Sequence, residues 1–156
     1  ILSRFTWKGN DFDVRTVCHP AQDMISAHID SHLHTGIKFH FPYPTGIHTD
    51  NACDWDANDK HSTEVLKQDT QSAVLKRTLD STVYYVELKW EGKALLKEKE
   101  KNYFVLLPQE DAFSFSCAFT VNVIVFDPVL KFISPLPNTV ASSSSAIPST
   151  FRAVVL

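Results

Sequence analysis

The sequence is poor in glycine and lacks several motifs by which common functions are recognised. Its 156 residues include four glycines. No glycine-rich phosphate loop, no CxxC pair and no serine, histidine and aspartate order of a hydrolase triad is present. No known motif therefore points to a nucleotide site, a paired-cysteine metal site or a nucleophilic hydrolase.

The net charge is also small, and long apolar runs are absent from the sequence. The net charge is −3, and no group of lysines and arginines stands apart from acidic neighbours, which argues against a nucleic-acid partner. No apolar run approaches the length that a bilayer-spanning helix needs, so no membrane span is expected. The chain begins at Ile1 without a signal-like segment, and we expect it to be a piece of a longer protein.

Cysteine is scarce and odd in number. Cys18, Cys53 and Cys117 cannot form a complete disulfide framework. Cys18 and Cys117 fall on apolar strand positions, which predicts buried thiols. A single bridge is the alternative.

Phenylalanine is plentiful, with eleven residues, and many segments alternate between apolar and polar side chains. This period is typical of strands with one buried face. About eight to ten such strands, with turn signals between them and no convincing long helix, predict an all-β fold. We expect an antiparallel, supersandwich-like β-sandwich, with a closed barrel as the alternative. Residues 93–101 fit either a helix or a short strand with a charged connection.

The predicted core follows from the apolar side of the alternation. It consists of Phe5, Trp7, Ile37, Phe39, Tyr84, Val86, Phe113 and Phe115. The sandwich is expected to span residues 1–120, with an end at about residue 133 as the alternative. Residues 134–156 are rich in proline and serine, which is typical of a linker or tail.

The stretch from Gly36 to Asp56 organises the functional prediction. Its strand is ended by Pro42 and Pro44, since proline offers no N–H to a ladder. The loop that follows, up to about Ser62, is long for a compact domain, and such loops are usually functional. The loop residues expected to bind substrate are Trp55, Asp54, Asp56, His48 and Asp50, with His61 as a further donor or acceptor.

Trp55 is the centre of this prediction. A tryptophan flanked by aspartates suits a sugar, because its ring packs on the apolar face of a pyranose while carboxylates accept from hydroxyl groups. The alternative is that Trp55 folds back and plugs the loop onto the core.

No metal site, cofactor or catalytic residue is expected. His28, His34 and His40 share the polar side of their strands, but no spacing matches a zinc signature. The loop resembles an EF-hand only in part, because Asp59 occupies the glycine position and Val65 the position of the bidentate glutamate. A pair of loop carboxylates for glycoside hydrolysis is conceivable, but loop aspartates more often form turns.

Five short segments occur in an order that carries a family resemblance. They are Phe5-Thr6-Trp7-Lys8-Gly9, Val14-Arg15-Thr16, His19-Pro20, Phe41-Pro42-Tyr43-Pro44 and Cys53-Asp54-Trp55-Asp56. Together they resemble the N-terminal region of bacterial glycoside hydrolases related to families 65 and 95. The resemblance covers about residues 1–120.

The resemblance implies a large β-sandwich followed by a linker and an (α/α)6 barrel that carries the catalytic carboxylates. We therefore expect a non-catalytic N-terminal domain of a glycoside hydrolase, with carbohydrate and the helical barrel as partners. Either partner is a candidate for contact with the loop at residues 42–62. A periplasmic or secreted location is implied by the family alone. The alternatives are a free-standing carbohydrate-binding module and a small hydrolase that depends on a metal or on carboxylates.

Overall fold

The computed structural model describes residues 1–48 and 52–122, together with the backbone strand at residues 152–155. Within these residues the chain is all strand and turn, with no helix. The strands are β1 (Leu2–Trp7), β2 (Asn10–Cys18), β3 (Met24–Asp30), β4 (Ile37–His40), β5 (Tyr43–Pro44), β6 (Cys53–Asp54), β7 (His61–Gln68), β8 (Ser72–Leu79), β9 (Thr82–Glu91), β10 (Ala94–Glu100), β11 (Tyr103–Pro108), β12 (Ala112–Thr120) and β13 (Arg152–Val155).

Two antiparallel sheets form the body of the fold. The larger sheet has seven strands in the order β1-β2-β3-β12-β9-β8-β7, and the smaller has four in the order β10-β11-β4-β13. A short separate hairpin pairs β5 with β6. The expected antiparallel sandwich-like fold is confirmed. The sequence predicted either a helix or a strand for residues 93–101, and most of them form strand β10.

The core lies between the facing sides of the two sheets. Phe39 of β4 is fully buried and meets Phe115 of β12 edge to face, with ring centroids 5.8 Å apart. Alternation explains this packing, because each strand turns every second side chain inward. The predicted core residues Ile37, Val86 and Phe113 are buried as well. Trp7 and Tyr84 are half-buried and pack against the core.

Phe5 and Cys18 depart from the expectation of burial. Phe5 is 42% exposed and stacks on Phe12 at 5.0 Å. It lies on β1, which forms one edge of the larger sheet. Cys18 is exposed, because the burial of β2 fades after Val14. Cys117 is buried as predicted, and all three cysteines are free.

The predicted end of the domain lies mostly outside the described residues. Strand β13, Arg152–Val155, falls within the predicted linker or tail and pairs antiparallel with β4. The boundaries at residue 120 or about 133 remain predictions. The described residues contain no helix that is long and apolar enough to cross a membrane.

Candidate functional site

A small hairpin carries the loop that the sequence singled out. Tyr43 pairs with Asp54 and Pro44 with Cys53, so Pro44 takes part in a short ladder despite lacking an N–H. The predicted loop is also shorter than expected, because its last residues, His61 and Ser62, already belong to β7. The segment is therefore an ordered hairpin followed by a short turn, at least in the parts that the structure describes.

Asp54 fixes the turn that follows Trp55. Its Oδ1 accepts the backbone N–H groups of Asp56 at 3.0 Å and Ala57 at 3.1 Å. This is the common use of an aspartate side chain in a turn. Ala57 is buried and anchors the turn to the core. Asp54 therefore positions the backbone around Trp55.

Three rings form a continuous row beside this turn, which we call the ring platform: Trp55, His40 and Tyr103. The ring centroids of Trp55 and His40 are 4.8 Å apart, and those of His40 and Tyr103 are 5.2 Å apart. All three side chains are half-buried. His40 and Tyr103 are paired residues on the adjacent strands β4 and β11, which explains why their side chains stand on the same face.

The electrostatics of the ring platform favour a neutral surface with an acidic border. Burial lowers the pKa of His40, while the carboxylates of Glu100 and Asp56 act weakly in the opposite direction. Neutral His40 presents an uncharged ring at neutral pH. Asp56 and Glu100 are exposed, so their oxygens are accessible to a ligand above the rings.

The other predicted site residues are placed differently. His48 is exposed in the β5–β6 connection, and Asp50 lies outside the described residues. His61 was expected to offer its ring to a ligand at the surface. It is instead buried, with 5% of its surface exposed, because it opens β7 on the side of the strand that faces the core.

Beneath the ring platform lies a buried polar network around Arg77. Arg77 is 1% exposed and sits on the same side of β8 as the core residues Ala73 and Leu75. Its Nη1 donates to His61 Nδ1 and to Thr63 Oγ1, both at 2.8 Å. The core of the sandwich is thus polar at the end that carries the hairpin.

The groups around the Arg77 guanidinium are neutral. Its guanidinium lies 4.8 Å from the ring centre of Phe41 and 5.9 Å from that of Tyr84. Among the residues that the structure describes, the ion pairs do not include Arg77. A buried cation held by hydrogen bonds and aromatic faces requires that a titratable partner carry no second positive charge.

His61 meets this requirement. Burial is the largest cause that lowers its pKa, followed by the positive charge of Arg77, and the pKa falls to about 4. Since arginine only donates hydrogen bonds, Nδ1 of His61 must be the unprotonated nitrogen. The short bond from Arg77 therefore assigns the neutral tautomer with its proton on Nε2.

The histidines that the sequence groups near β3 contact two different partners. His28 Nδ1 lies 2.8 Å from Ser114 Oγ. His32 and His34 share the carboxylate of Asp111, at 2.7 Å and 2.8 Å. Within residues 1–48 and 52–122, no group of three or more His, Cys, Asp or Glu side chains is arranged to hold a metal ion.

Sequence reasoning missed four residues of this region. Two are His40 and Tyr103 of the ring platform. The others are Arg77 and the buried Asn102, whose amide oxygen accepts from Arg77 Nη1 at 3.2 Å. His40 and Tyr103 meet through the pairing of β4 with β11, which no local pattern predicts. Arg77 did leave a signal, because it continues the apolar alternation of Ala73 and Leu75 with a charged residue. Such a residue on a buried side indicates a polar network inside the core.

The sequence matches no protein-family model. The comparison with curated proteins gives no match either.

Proposed function

We propose that this chain is a non-catalytic β-sandwich domain of a glycoside hydrolase, and that it contacts carbohydrate through the ring platform. The observation that carries the proposal is the row of Trp55, His40 and Tyr103 with exposed carboxylates at its border. Ring faces pack against the apolar C–H faces of sugars, and carboxylates accept from hydroxyl groups. The resemblance of five segments to glycoside hydrolases of families 65 and 95 adds the enzyme context.

The hydrogen bonds of Asp54 favour a binding role over a catalytic role for this site. Its Oδ1 is engaged by two backbone N–H groups, so it serves the turn. A general acid and base pair needs two carboxyl groups that face one glycosidic bond. The supporting role for a helical barrel, and the periplasmic or secreted location, come from the family resemblance.

A carbohydrate-binding module is the second candidate. The ring platform lies on a single sandwich and its short hairpin, so a ligand needs no neighbouring domain to meet all three rings. The two candidates differ in what the isolated chain does. A module binds oligosaccharide alone with useful affinity, whereas a supporting domain binds it weakly and gains affinity beside its barrel.

The test is a titration of the chain with a panel of neutral α- and β-linked oligosaccharides by isothermal calorimetry and NMR. We expect saturable binding that Trp55→Ala weakens by at least about tenfold, which is about 1.4 kcal/mol. Trp7→Ala is the matched control, since Trp7 is also a half-buried tryptophan but packs on Phe12. Equal binding by wild type and Trp55→Ala, or no saturable binding to any sugar, would contradict the carbohydrate contact.

A further inference from the structure

Asn102 connects the parts of the chain that carry the three rings. It lies in the turn between β10 and β11, has no exposed surface and adopts a positive φ of 63°. Asparagine is among the few residues with a side chain that adopt this conformation readily. The turn places its amide inside the fold, directly before Tyr103, the third ring of the platform.

The carbonyl and the amide nitrogen of Asn102 bind the segments of the other two rings. Its backbone oxygen accepts the N–H of Phe41 at 3.1 Å, and Phe41 directly follows His40. Its Nδ2 donates to the backbone and side-chain oxygens of Asn58, both at 3.3 Å. Asn58 lies three residues after Trp55, in the connection between β6 and β7. Every ring is therefore within a few residues of a contact with Asn102.

The amide oxygen of Asn102 is tied to the larger sheet. Oδ1 accepts from Thr63 Oγ1 at 2.9 Å and from Arg77 Nη1 at 3.2 Å. These two donors fix the orientation of the amide, with its oxygen toward Thr63 and Arg77 and its nitrogen toward Asn58 and the backbone oxygen of His61. A buried amide with both ends engaged is rigid, because turning it would leave buried polar groups unpaired.

We propose that Asn102 is the positioning residue of the ring platform: anchored by Arg77 and Thr63, it holds the turn after Trp55 in place, so that Trp55 stacks on His40. The value of this arrangement for sugar binding rests on the proposed function, but the arrangement itself does not. Rings that are fixed before binding lose less conformational entropy when a ligand arrives.

Asn102→Asp is the most informative variant. The carboxylate keeps the shape, accepts from Thr63 and Arg77, and pairs its charge with a buried guanidinium, so the fold is expected to survive. It removes the Nδ2 donor, which reaches the two oxygens of Asn58 at 3.3 Å and the backbone oxygen of His61 at 3.4 Å. Asn102→Gly is the second variant, since it keeps the positive φ and the backbone bond to Phe41 but deletes the amide. Leu88→Ala is the control, because Leu88 is a buried core residue of β9 whose side chain makes no hydrogen bond in this network, so the variant lowers stability without touching Asn102.

The readout is the set of NMR cross-relaxation peaks between the rings of Trp55 and His40, with the indole of Trp55 assigned from Trp55→Phe. We expect these peaks to be lost or strongly reduced in Asn102→Asp and Asn102→Gly and retained in Leu88→Ala. Where the wild type binds a sugar, affinity should fall at least about fivefold in both Asn102 variants, at temperatures where all variants are folded. Leu88→Ala, despite its lower stability, should bind as the wild type does.

Full ring contacts in both Asn102 variants would overturn the proposal, whatever the change in stability. Loss of the ring contacts in Leu88→Ala to the same degree would also overturn it, because the effect would then follow the stability of the fold and not the contacts of Asn102. A wild type that binds no sugar, combined with lost contacts in the Asn102 variants, supports the positioning role and contradicts the carbohydrate contact. A failure of the positioning role and a failure of the carbohydrate contact therefore give different results.

Discussion

The buried pair of His61 and Arg77 makes the stability of the fold depend on pH in a specific way. Arg77 Nη1 donates to His61 Nδ1 at 2.8 Å, so a proton on Nδ1 would set two donors against each other. It would also add a second positive charge to a core that already holds one. Protonation of His61 should therefore be opposed by the fold until the pH is well below the ordinary pKa of histidine.

The magnitude follows from the two pKa values of His61. The pKa is 6.5 in the unfolded chain and about 4 in the fold. Between these values the unfolded state binds a proton that the folded state does not, so the free energy of unfolding falls as the pH falls. At about 1.4 kcal/mol per pKa unit, the full loss is about 3 kcal/mol. Roughly 2 kcal/mol of it is lost between pH 7 and pH 5.

The assay is urea unfolding followed by tryptophan fluorescence at pH 7, 6 and 5, for the wild type and for His61→Gln. The glutamine oxygen accepts from Arg77 and does not titrate, so the difference between the two proteins isolates His61 from His32 and His40. We expect the wild type to lose roughly 2 kcal/mol more than the variant, a shift of about 1 M in the urea midpoint. Parallel pH profiles, or an NMR titration of His61 with a midpoint near its ordinary value, would refute the reasoning.

Two further predictions concern Asp111 and catalysis. The hydrogen bond to Asp111 is the main cause that raises the pKa of His32, so its stabilisation is present below the unfolded pKa and lost as the pH rises through the folded pKa. Asp111→Asn should therefore lower the pKa of His32 in an NMR titration and leave that of His40 unchanged; an unmoved His32 would contradict this. The chain should not hydrolyse aryl glycosides, and turnover that disappears in Asp54→Asn or Asp56→Asn would show that the non-catalytic assignment is wrong.

The strands and most of the core could be predicted from the sequence because alternation is a local signal. Ile37 and Phe39 on one strand, and Phe113 and Phe115 on another, are buried as their spacing predicted. Phe5 has the same spacing but is exposed. Whether an inward side chain is covered depends on the width of the opposite sheet, and the pairing of distant strands sets that width.

The candidate site also contains some residues that the sequence predicted and others that it did not. Trp55, Asp54 and Asp56 are neighbours in the sequence, so one loop pattern was enough to group them. His40 and Tyr103 come together only because β11 pairs with β4. Asn102 reaches Arg77 because the β10–β11 turn meets the end of the larger sheet, a contact between residues far apart in the chain. Local patterns carry no information about such contacts.

The polar end of the core has an energetic consequence for the site above it. Replacing a buried charged network with well-packed apolar residues is often neutral or stabilising by roughly 1–4 kcal/mol. A gain in stability therefore does not explain why Arg77 is buried. Its hydrogen bonds instead fix the directions of Thr63 and Asn102, which an apolar core leaves undefined. An apolar replacement of the whole network should therefore preserve the sandwich and release the turn that follows Trp55. At this end of the fold, apolar packing provides the stability, and the directions of a few buried hydrogen bonds set the geometry of the ring platform. A change in one can therefore leave the other intact.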